Sequence, residues 1–359
     1  MVLHLRRDLE ALPAYRPGNK PPPGDGPWYK LSSNESPFPP LPSVAAAISE
    51  LIPTVNRYPE TPASGLTGRI SGLFEVPVSR IALGSGSVEV LSQVIRATAD
   101  PGSQVIFAWP SFEAYPRLTV AAGAVSVPVA LDTGYRHDFA AMRAAISERT
   151  SLVIICNPNN PTGTAAGAQE LIEFVRSVPP HIVVVIDEAY REFNMDPSSP
   201  AGMDLCRLYP NVAVAHTFSK AHGLAGLRIG YAIAPEQVIA AMRKVAVPFG
   251  VTGLAQAAAC ASLDAADELA QRVHWLVAER QRVGLELRDL GWRLPETQAN
   301  FFWFPIGRDA EAAAEVFRRH GVAVRLFDSE GLRVSLGDAA ANDALIAAAR
   351  DLACGIPPS

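Results

Sequence analysis

A single lysine, in the run of small and hydroxyl residues from Thr217 to Arg228, is the side chain best suited to covalent chemistry in this chain. Lys220 follows the apolar run Val212 to Ala215 and precedes another that begins at Ile229, a pattern that places it at a strand end. An imine-forming lysine needs a lowered pKa, which burial or a nearby cation such as Arg228 provides. A lone lysine is usually an exposed loop residue, so the other motifs decide its interpretation.

Two polar motifs follow predicted strands earlier in the chain. The sequence Asn-Pro-Asn-Asn-Pro-Thr-Gly at 157–163 follows the apolar run Leu152 to Cys156, and Asp-Glu-Ala-Tyr at 187–190 follows Ile182 to Ile186. Either motif alone is compatible with ordinary turn chemistry. Because the carboxyl ends of parallel strands meet at one edge of a sheet, the two motifs together with Lys220 indicate a single site.

A glycine- and serine-rich turn at 84–89 follows the predicted strand Arg80 to Leu83 and opens a helix that extends to about Thr98. Free N–H groups at a helix start, the helix dipole and the Ser87 hydroxyl are suited to binding a phosphate. The turn lacks the third glycine of a dinucleotide fingerprint and the Gly-Lys-Ser/Thr ending of a P-loop. It therefore predicts a phosphate site of another kind.

The elements that must position these motifs are short, β-branched apolar runs with helical intervals between most of them. The runs are Gln104–Ala108, Leu152–Cys156, Ile182–Ile186, Val212–Ala215 and Ile229–Ala234. Strands buried on both faces have this composition, so the sequence predicts an α/β fold with a largely parallel, helix-covered sheet. In such folds the ligand binds at the carboxyl ends of the strands.

The chain divides into three predicted parts. Residues 1–40 are rich in Pro, Gly and Asn and predict an irregular arm, whereas 41–248 predict a large ligand-binding domain. Residues 249–359 predict an interdomain helix, Leu254 to Leu290, followed by a smaller α+β domain. That domain is expected to contain strands near Asn300–Phe304, Val322–Leu326 and Leu332–Ser335, a helix at Ala310–His320 and a final helix to Leu352.

Composition narrows the possible partners. The chain has 359 residues, of which 48% are hydrophobic and 19% charged, with a net charge of -5 and no long charged block. A surface that binds nucleic acid or anionic lipid is therefore not expected, and no apolar run is long enough to span a membrane. The four cysteines lack metal-ligand spacing and predict buried, reduced thiols, no metal site and a cytoplasmic protein.

Taken together, the motifs resemble those of fold-type I, pyridoxal-5′-phosphate-dependent aminotransferases of the histidinol-phosphate and aromatic aminotransferase group. The resemblance extends from Tyr15 and Ser33-Asn34-Glu35, through Arg57-Tyr58-Pro59-Glu60, to the segment 331–335. It implies the large-domain and small-domain architecture of that fold, pyridoxal 5′-phosphate as cofactor, and a homodimer in which the N-terminal arm packs with the small domain and the partner.

The resemblance also implies roles for individual residues in catalysis. Lys220 would bind the cofactor covalently and then move the proton at the substrate α-carbon, and Asp187 would pair with the pyridine nitrogen. Asn160 and Tyr190 match positions that hydrogen-bond the cofactor's phenolate oxygen, and Phe112 matches an aromatic residue that stacks on its ring.

Further residues match positions that bind the two anionic groups. The cofactor phosphate would be held by Ser87, Val88, Ser219, Arg228 and Tyr58 of the partner subunit. The substrate α-carboxylate would be held by Arg333, whose planar guanidinium can donate two parallel hydrogen bonds. Val88 departs from the family pattern, which often has Asp at this position, but this change removes no reacting group.

The expected substrates are an aromatic amino acid, phenylalanine foremost, with tyrosine and tryptophan as further donors, and 2-oxoglutarate. At positions where histidinol-phosphate enzymes have two phosphate-binding tyrosines, this chain has Phe112 and Phe249, which lack the hydroxyl. Tyr15 and Arg325 still match phosphate-contacting positions, so a histidinol-phosphate aminotransferase is an alternative. A decarboxylase of the same fold and a non-catalytic ligand-binding regulator are the others.

Overall fold

The structure is a computed structural model that describes residues 6–10, 12, 14 and 27–355. Its strands are β1 (Tyr29–Lys30), β2 (Ile81–Gly84), β3 (Gln104–Trp109), β4 (Val125–Ala130), β5 (Thr150–Cys156), β6 (Val183–Asp187), β7 (Val212–Thr217), β8 (Gly230–Ile233), β9 (Phe301–Phe304), β10 (Val322–Ala323), β11 (Arg325–Phe327) and β12 (Gly331–Ser335). Its helices are α1 (Pro42–Leu51), α2 (Ser64–Phe74), α3 (Ser87–Thr98), α4 (Ala114–Ala121), α5 (Phe139–Ala144), α6 (Ala168–Ser177), α7 (Gly202–Leu208), α8 (Glu236–Val245), α9 (Gly253–Asp264), α10 (Ala266–Asp289), α11 (Ala310–Arg319) and α12 (Ala339–Gly355).

A seven-stranded sheet in the order β2-β8-β7-β6-β5-β3-β4 forms the centre of the fold. Strands β3 to β7 are mutually parallel, and β8 is antiparallel to both of its neighbours. A parallel connection requires a crossover of a dozen or more residues, usually a helix, but only the loop 218–229 joins β7 to β8. This loop contains Lys220, so the short connection holds the lysine at the carboxyl edge of the parallel strands.

Both faces of this sheet are covered by helices. Along β5 the residues alternate between two cores: Val153 and Ile155 pack with α6, α7 and α9, whereas Leu152 and Ile154 pack on the other face with α3, α4 and α8. The period of two in side-chain direction explains why these strands are almost continuously apolar. The result is the α/β architecture expected from the sequence.

A second core surrounds the antiparallel sheet β11-β12-β9 and helices α10, α11 and α12. Phe301, Phe304 and Phe317 are fully buried within it. The N-terminal strand β1 pairs in parallel with β10, with Tyr29 opposite Val322. The beginning of the described chain is therefore attached to its C-terminal part. The division into 1–40, 41–248 and 249–359 stays a prediction.

The single long helix predicted at 254–290 is wrong, because two helices occupy this stretch. The break lies at Ala265, whose ψ of 39° is not helical. The alanine-rich α9 packs against α1 and α2, whereas α10 packs against α12. The helices thus belong to different packing environments, which a continuous helical pattern does not distinguish.

Strand β4 was not predicted because it lies at the sheet edge and alternates between exposed and half-buried residues. A fully buried run is easier to recognise than such a strand. Within the described residues, no helix combines the length and the apolar character needed to cross a membrane.

Candidate active site

A cavity lies at the carboxyl edge of the large sheet and brings together most of the predicted site residues. It is lined by Ser87, Val88, Phe112, Asn160, Asp187, Tyr190, Ser219, Lys220, Arg228, Arg325 and Arg333. Tyr58 and Phe249 do not line it; their rings stack on each other, with centroids 4.5 Å apart, at an exposed position. Tyr15 lies outside the described residues.

Lys220 is the half-buried amine of this cavity. Its Nζ donates to the carbonyl of Ser33 at 3.1 Å and lies 5.8 Å from the centre of the Tyr190 ring. Burial, followed by the positive charge of Arg333, lowers the pKa of Lys220 to about 7, against opposing effects of Glu35 and Asp187. A substantial fraction of the amine is therefore neutral near pH 7 and can act as a nucleophile.

The lowered pKa gives a testable pH dependence for the protein without cofactor. The rate of Lys220 acylation by a small amine-reactive reagent should rise with pH to a half-maximum near 7, whereas an unperturbed lysine titrates near about 10.4. Mass spectrometry of pulse-labelled peptides measures this rate, and a peptide containing the exposed Lys244 serves as the internal reference. Identical pH profiles for the two peptides would show that the cavity does not lower the pKa.

Asp187, the last residue of β6, is a buried carboxylate with one unsatisfied oxygen. Its Oδ2 accepts a hydrogen bond from the Tyr115 hydroxyl at 2.7 Å, while Oδ1 has no hydrogen-bond partner among the described residues. Burial raises the pKa of Asp187 to about 6, and the bonds from Tyr115 and the Ala189 amide oppose that rise. A cationic ring nitrogen is the kind of group that would satisfy Oδ1.

Tyr115 was missed by sequence reasoning. It lies on α4, one helical turn after Phe112, and is fully buried with its ring edge-on to Phe112 at 5.6 Å. The spacing of three residues from a predicted site residue was the only signal. A hydroxyl that points at Asp187 could not be distinguished in sequence from a core aromatic residue.

The start of α3 and the loop after β7 form an anion-binding corner. Gly86 has φ of 79°, and a Cβ at this position would collide with the Arg228 guanidinium. A Cβ at Gly230 would lie 2.6 Å from the Ser87 amide nitrogen. Arg228 itself adopts a left-handed conformation and approaches the Ser219 hydroxyl at 3.4 Å. These close approaches place N–H, hydroxyl and guanidinium donors around one point, which fits a phosphate group.

Arg333 on β12 supplies a second, separate guanidinium. Its Nη1 donates to Asn160 Oδ1 at 2.5 Å and its Nη2 to the Ser32 carbonyl at 2.8 Å. The rings of Phe301 and Phe327 lie 5.5 and 5.9 Å from its central carbon. The guanidinium is thus held in a fixed orientation, as bidentate binding of a carboxylate requires.

The N-terminal segment 32–35 closes one side of the cavity, which the sequence did not predict at the level of contacts. Asn34 donates to the Tyr190 hydroxyl at 2.9 Å and accepts from the Ser335 hydroxyl at 2.7 Å. Burial raises the pKa of Tyr190 above its usual range, so it is a neutral hydrogen-bond donor at pH 7. The segment matched a family motif in sequence, but its contacts depend on the folding of both chain ends.

Glu113 also lines the cavity and was missed. Its carboxylate accepts two hydrogen bonds from Arg325: one from Nε at 3.0 Å and one from Nη2 at 2.7 Å. Both side chains are largely withdrawn from solvent, with 27% and 12% exposed. Sequence gave no signal for this pair because 212 residues separate the partners.

Comparison with known proteins gives a consistent result. Residues 27–349 match the family described as aminotransferase class I and II. Curated relatives named aromatic amino acid aminotransferase include one from Streptomyces avermitilis, 54% identical and covering 94% of each chain, and one from Thermobifida fusca, 52% identical and covering 97% of this chain and 96% of the relative. A solved structure of histidinol-phosphate aminotransferase from Sinorhizobium meliloti in complex with pyridoxal-5′-phosphate superimposes with a TM-score of 0.88, at 27% identity over 99% of both chains.

Proposed function

This chain belongs to the class I and II aminotransferases, and on that basis we propose that it transfers the amino group of an aromatic L-amino acid to 2-oxoglutarate, with pyridoxal 5′-phosphate as cofactor. The observation that carries the proposal is the placement of Lys220, Asp187 and Arg333 in one cavity. A nucleophilic amine, an unsatisfied buried carboxylate and a carboxylate-binding guanidinium are together what transamination of an α-amino acid needs.

The described residues fit the cofactor. Asp187 Oδ1 offers a carboxylate oxygen to the ring nitrogen, and the corner formed by Ser87, Val88, Ser219 and Arg228 offers donors to the phosphate. The cofactor supplies, when bound, a carbonyl that captures amines and a ring that accepts electrons from the α-carbon.

The protein's own residues then have separate tasks at the substrate. Arg333 holds the α-carboxylate, and Asn160 keeps the guanidinium oriented. Lys220 Nζ removes the proton from the α-carbon and returns it at the neighbouring position, a task for which a pKa near 7 is suitable. Tyr190 and Asn160 donate hydrogen bonds to the cofactor's phenolate oxygen, and Phe112 stacks on its ring.

A donor panel with 2-oxoglutarate tests the proposed activity. We expect kcat/KM to be higher for phenylalanine, tyrosine and tryptophan than for histidinol phosphate, because Phe112 offers an apolar face and no hydroxyl to a phosphate. Coupled detection of glutamate measures each rate. A higher value for histidinol phosphate would favour the alternative substrate, and release of CO₂ in place of transamination would favour the decarboxylase.

We also propose that the protein is a homodimer in which Tyr58 of the partner subunit binds the cofactor phosphate. Tyr58 is 81% exposed in the single chain, and the surface near it includes the exposed apolar residues Ile52, Val55, Val247 and Phe249. An exposed apolar surface of this kind is typical of subunit contacts. Phe249 would then act near the partner's cavity and not its own, which keeps its predicted substrate role a proposal.

Hybrid dimers test this arrangement. Tyr58→Phe should weaken cofactor binding about tenfold or more, because a hydrogen bond to a charged group is lost. A hybrid of one Tyr58→Phe chain with one Lys220→Ala chain, purified by two different tags, should recover one site of wild-type cofactor affinity per dimer. If Tyr58 served its own chain, the hybrid would bind as weakly as the Tyr58→Phe protein.

A further inference from the structure

The substrate side chain must occupy the part of the cavity near β11 and the start of α4. With the α-carboxylate on Arg333 and the α-carbon at Lys220, the remaining lining residues of that region include Phe112, Glu113 and Arg325. Arg325 on β11 is the direct cross-strand partner of Arg333 on β12. Directly opposed residues have Cβ atoms about 4.5–5.5 Å apart, so the second guanidinium is adjacent to the first.

Arg325 is already bound by a carboxylate. The two roughly parallel bonds from its Nε and Nη2 to the two oxygens of Glu113 form a fork, the strongest geometry available to an arginine–carboxylate pair. Glu113 immediately precedes α4, where the positive end of the helix dipole favours a negative charge. The pair is therefore held from both sides: Arg325 by its strand and Glu113 by its helix start.

We propose that Glu113 is a specificity-determining residue, which masks Arg325 and so selects uncharged aromatic side chains over side chains that end in a phosphate ester. An anionic side chain would have to displace Glu113 from Arg325 while lying beside the Glu113 carboxylate, and like charges at such a distance repel. An aromatic side chain leaves the fork intact and packs against its planar face. This inference rests on the proposed aminotransferase function.

The test uses the holoenzyme in single-turnover half-reactions, with the donor in excess and no 2-oxo acid present. The spectral change of the cofactor gives kcat/KM separately for phenylalanine and for histidinol phosphate. In Glu113→Gln, which keeps the size of the side chain, we expect the ratio of histidinol phosphate to phenylalanine to rise about tenfold or more, chiefly through a lower apparent dissociation constant for histidinol phosphate.

Two further variants make the result interpretable. In Glu113→Gln/Arg325→Gln the gain should disappear, because the unmasked guanidinium is its source. Glu315→Gln, which breaks an exposed Glu–Arg pair on α11 far from the cavity, should leave the ratio unchanged. A ratio in Glu113→Gln within twofold of wild type, or a gain retained in the double variant, overturns the inference.

The outcome is separable from a failure of the proposed function. If the wild-type holoenzyme does not react with phenylalanine at all, the aminotransferase proposal fails before the ratio is measured. If wild type reacts with phenylalanine but Glu113→Gln affects both donors equally, only the specificity role of Glu113 is rejected, and the pair is structural.

Discussion

Replacement of Lys220 by alanine is expected to lower turnover of phenylalanine with 2-oxoglutarate by about 10⁴-fold or more. The variant loses both the amine that binds the cofactor covalently and the group that moves the α-proton, and general acid–base catalysis alone contributes about 10²–10⁴-fold. Steady-state assays measure the loss of turnover. Dialysis followed by an absorption spectrum should show that the cofactor is no longer retained covalently.

The same change should not harm the fold. Because the folded-state pKa of Lys220, about 7, lies below the unfolded value of about 10.4, the unfolded chain binds more protons at neutral pH. Lys220 therefore destabilises the apoprotein below pH 7, and this penalty disappears as pH rises from about 7 to 10. The alanine variant should lack that pH-dependent component. Lys244→Ala is the matched surface control; Lys220→Ala turnover within tenfold of wild type contradicts the catalytic assignment.

Asp187→Asn is expected to cause the second-largest loss, about 10²–10³-fold in kcat. The amide has nearly the shape of the carboxylate, but it carries no charge with which to keep a ring nitrogen protonated, and removing one such preorganised electrostatic partner typically has an effect of this size. Stopped-flow half-reactions with phenylalanine would locate the loss in the proton-transfer step.

Tyr115→Phe is the informative companion variant, because it removes the hydrogen bond to Asp187 Oδ2 and leaves the charge. Its loss should be much smaller than that of Asp187→Asn. If the two variants are equally impaired, the hydrogen-bonded pair as a whole, and not the charge on Asp187, matters for the reaction.

Much of this site was predictable because its residues follow buried strands. Asp187, Asn160 and Lys220 each come directly after an apolar run, and the geometry of a parallel sheet brings such positions to one edge. The third strand of that group leads into a short loop and an antiparallel neighbour, which explains why the lysine needs no helix after it. The sequence pattern therefore carried real information about proximity in space.

The unpredicted features involve residues whose partners are remote in sequence. Tyr115 reads as a core aromatic residue until its hydroxyl is found against Asp187, 72 residues away. Glu113 reads as a solvated acid at a helix start until Arg325 is found beside it. The break at Ala265 has no glycine or proline to mark it. Each depends on tertiary packing, which local propensity does not encode.

The contacts between the two ends of the chain have a consequence for synthesis on the ribosome. The Asn34 amide donates to the Ser335 hydroxyl, and Arg333 donates to the Ser32 carbonyl, so the cavity is walled by segments 301 residues apart. A nascent chain that has released the whole large sheet still lacks β12, and its N-terminal segment has nothing to pair with. Translation must pass Ser335, and the ribosomal tunnel must release it, before cofactor and substrate can find a finished site.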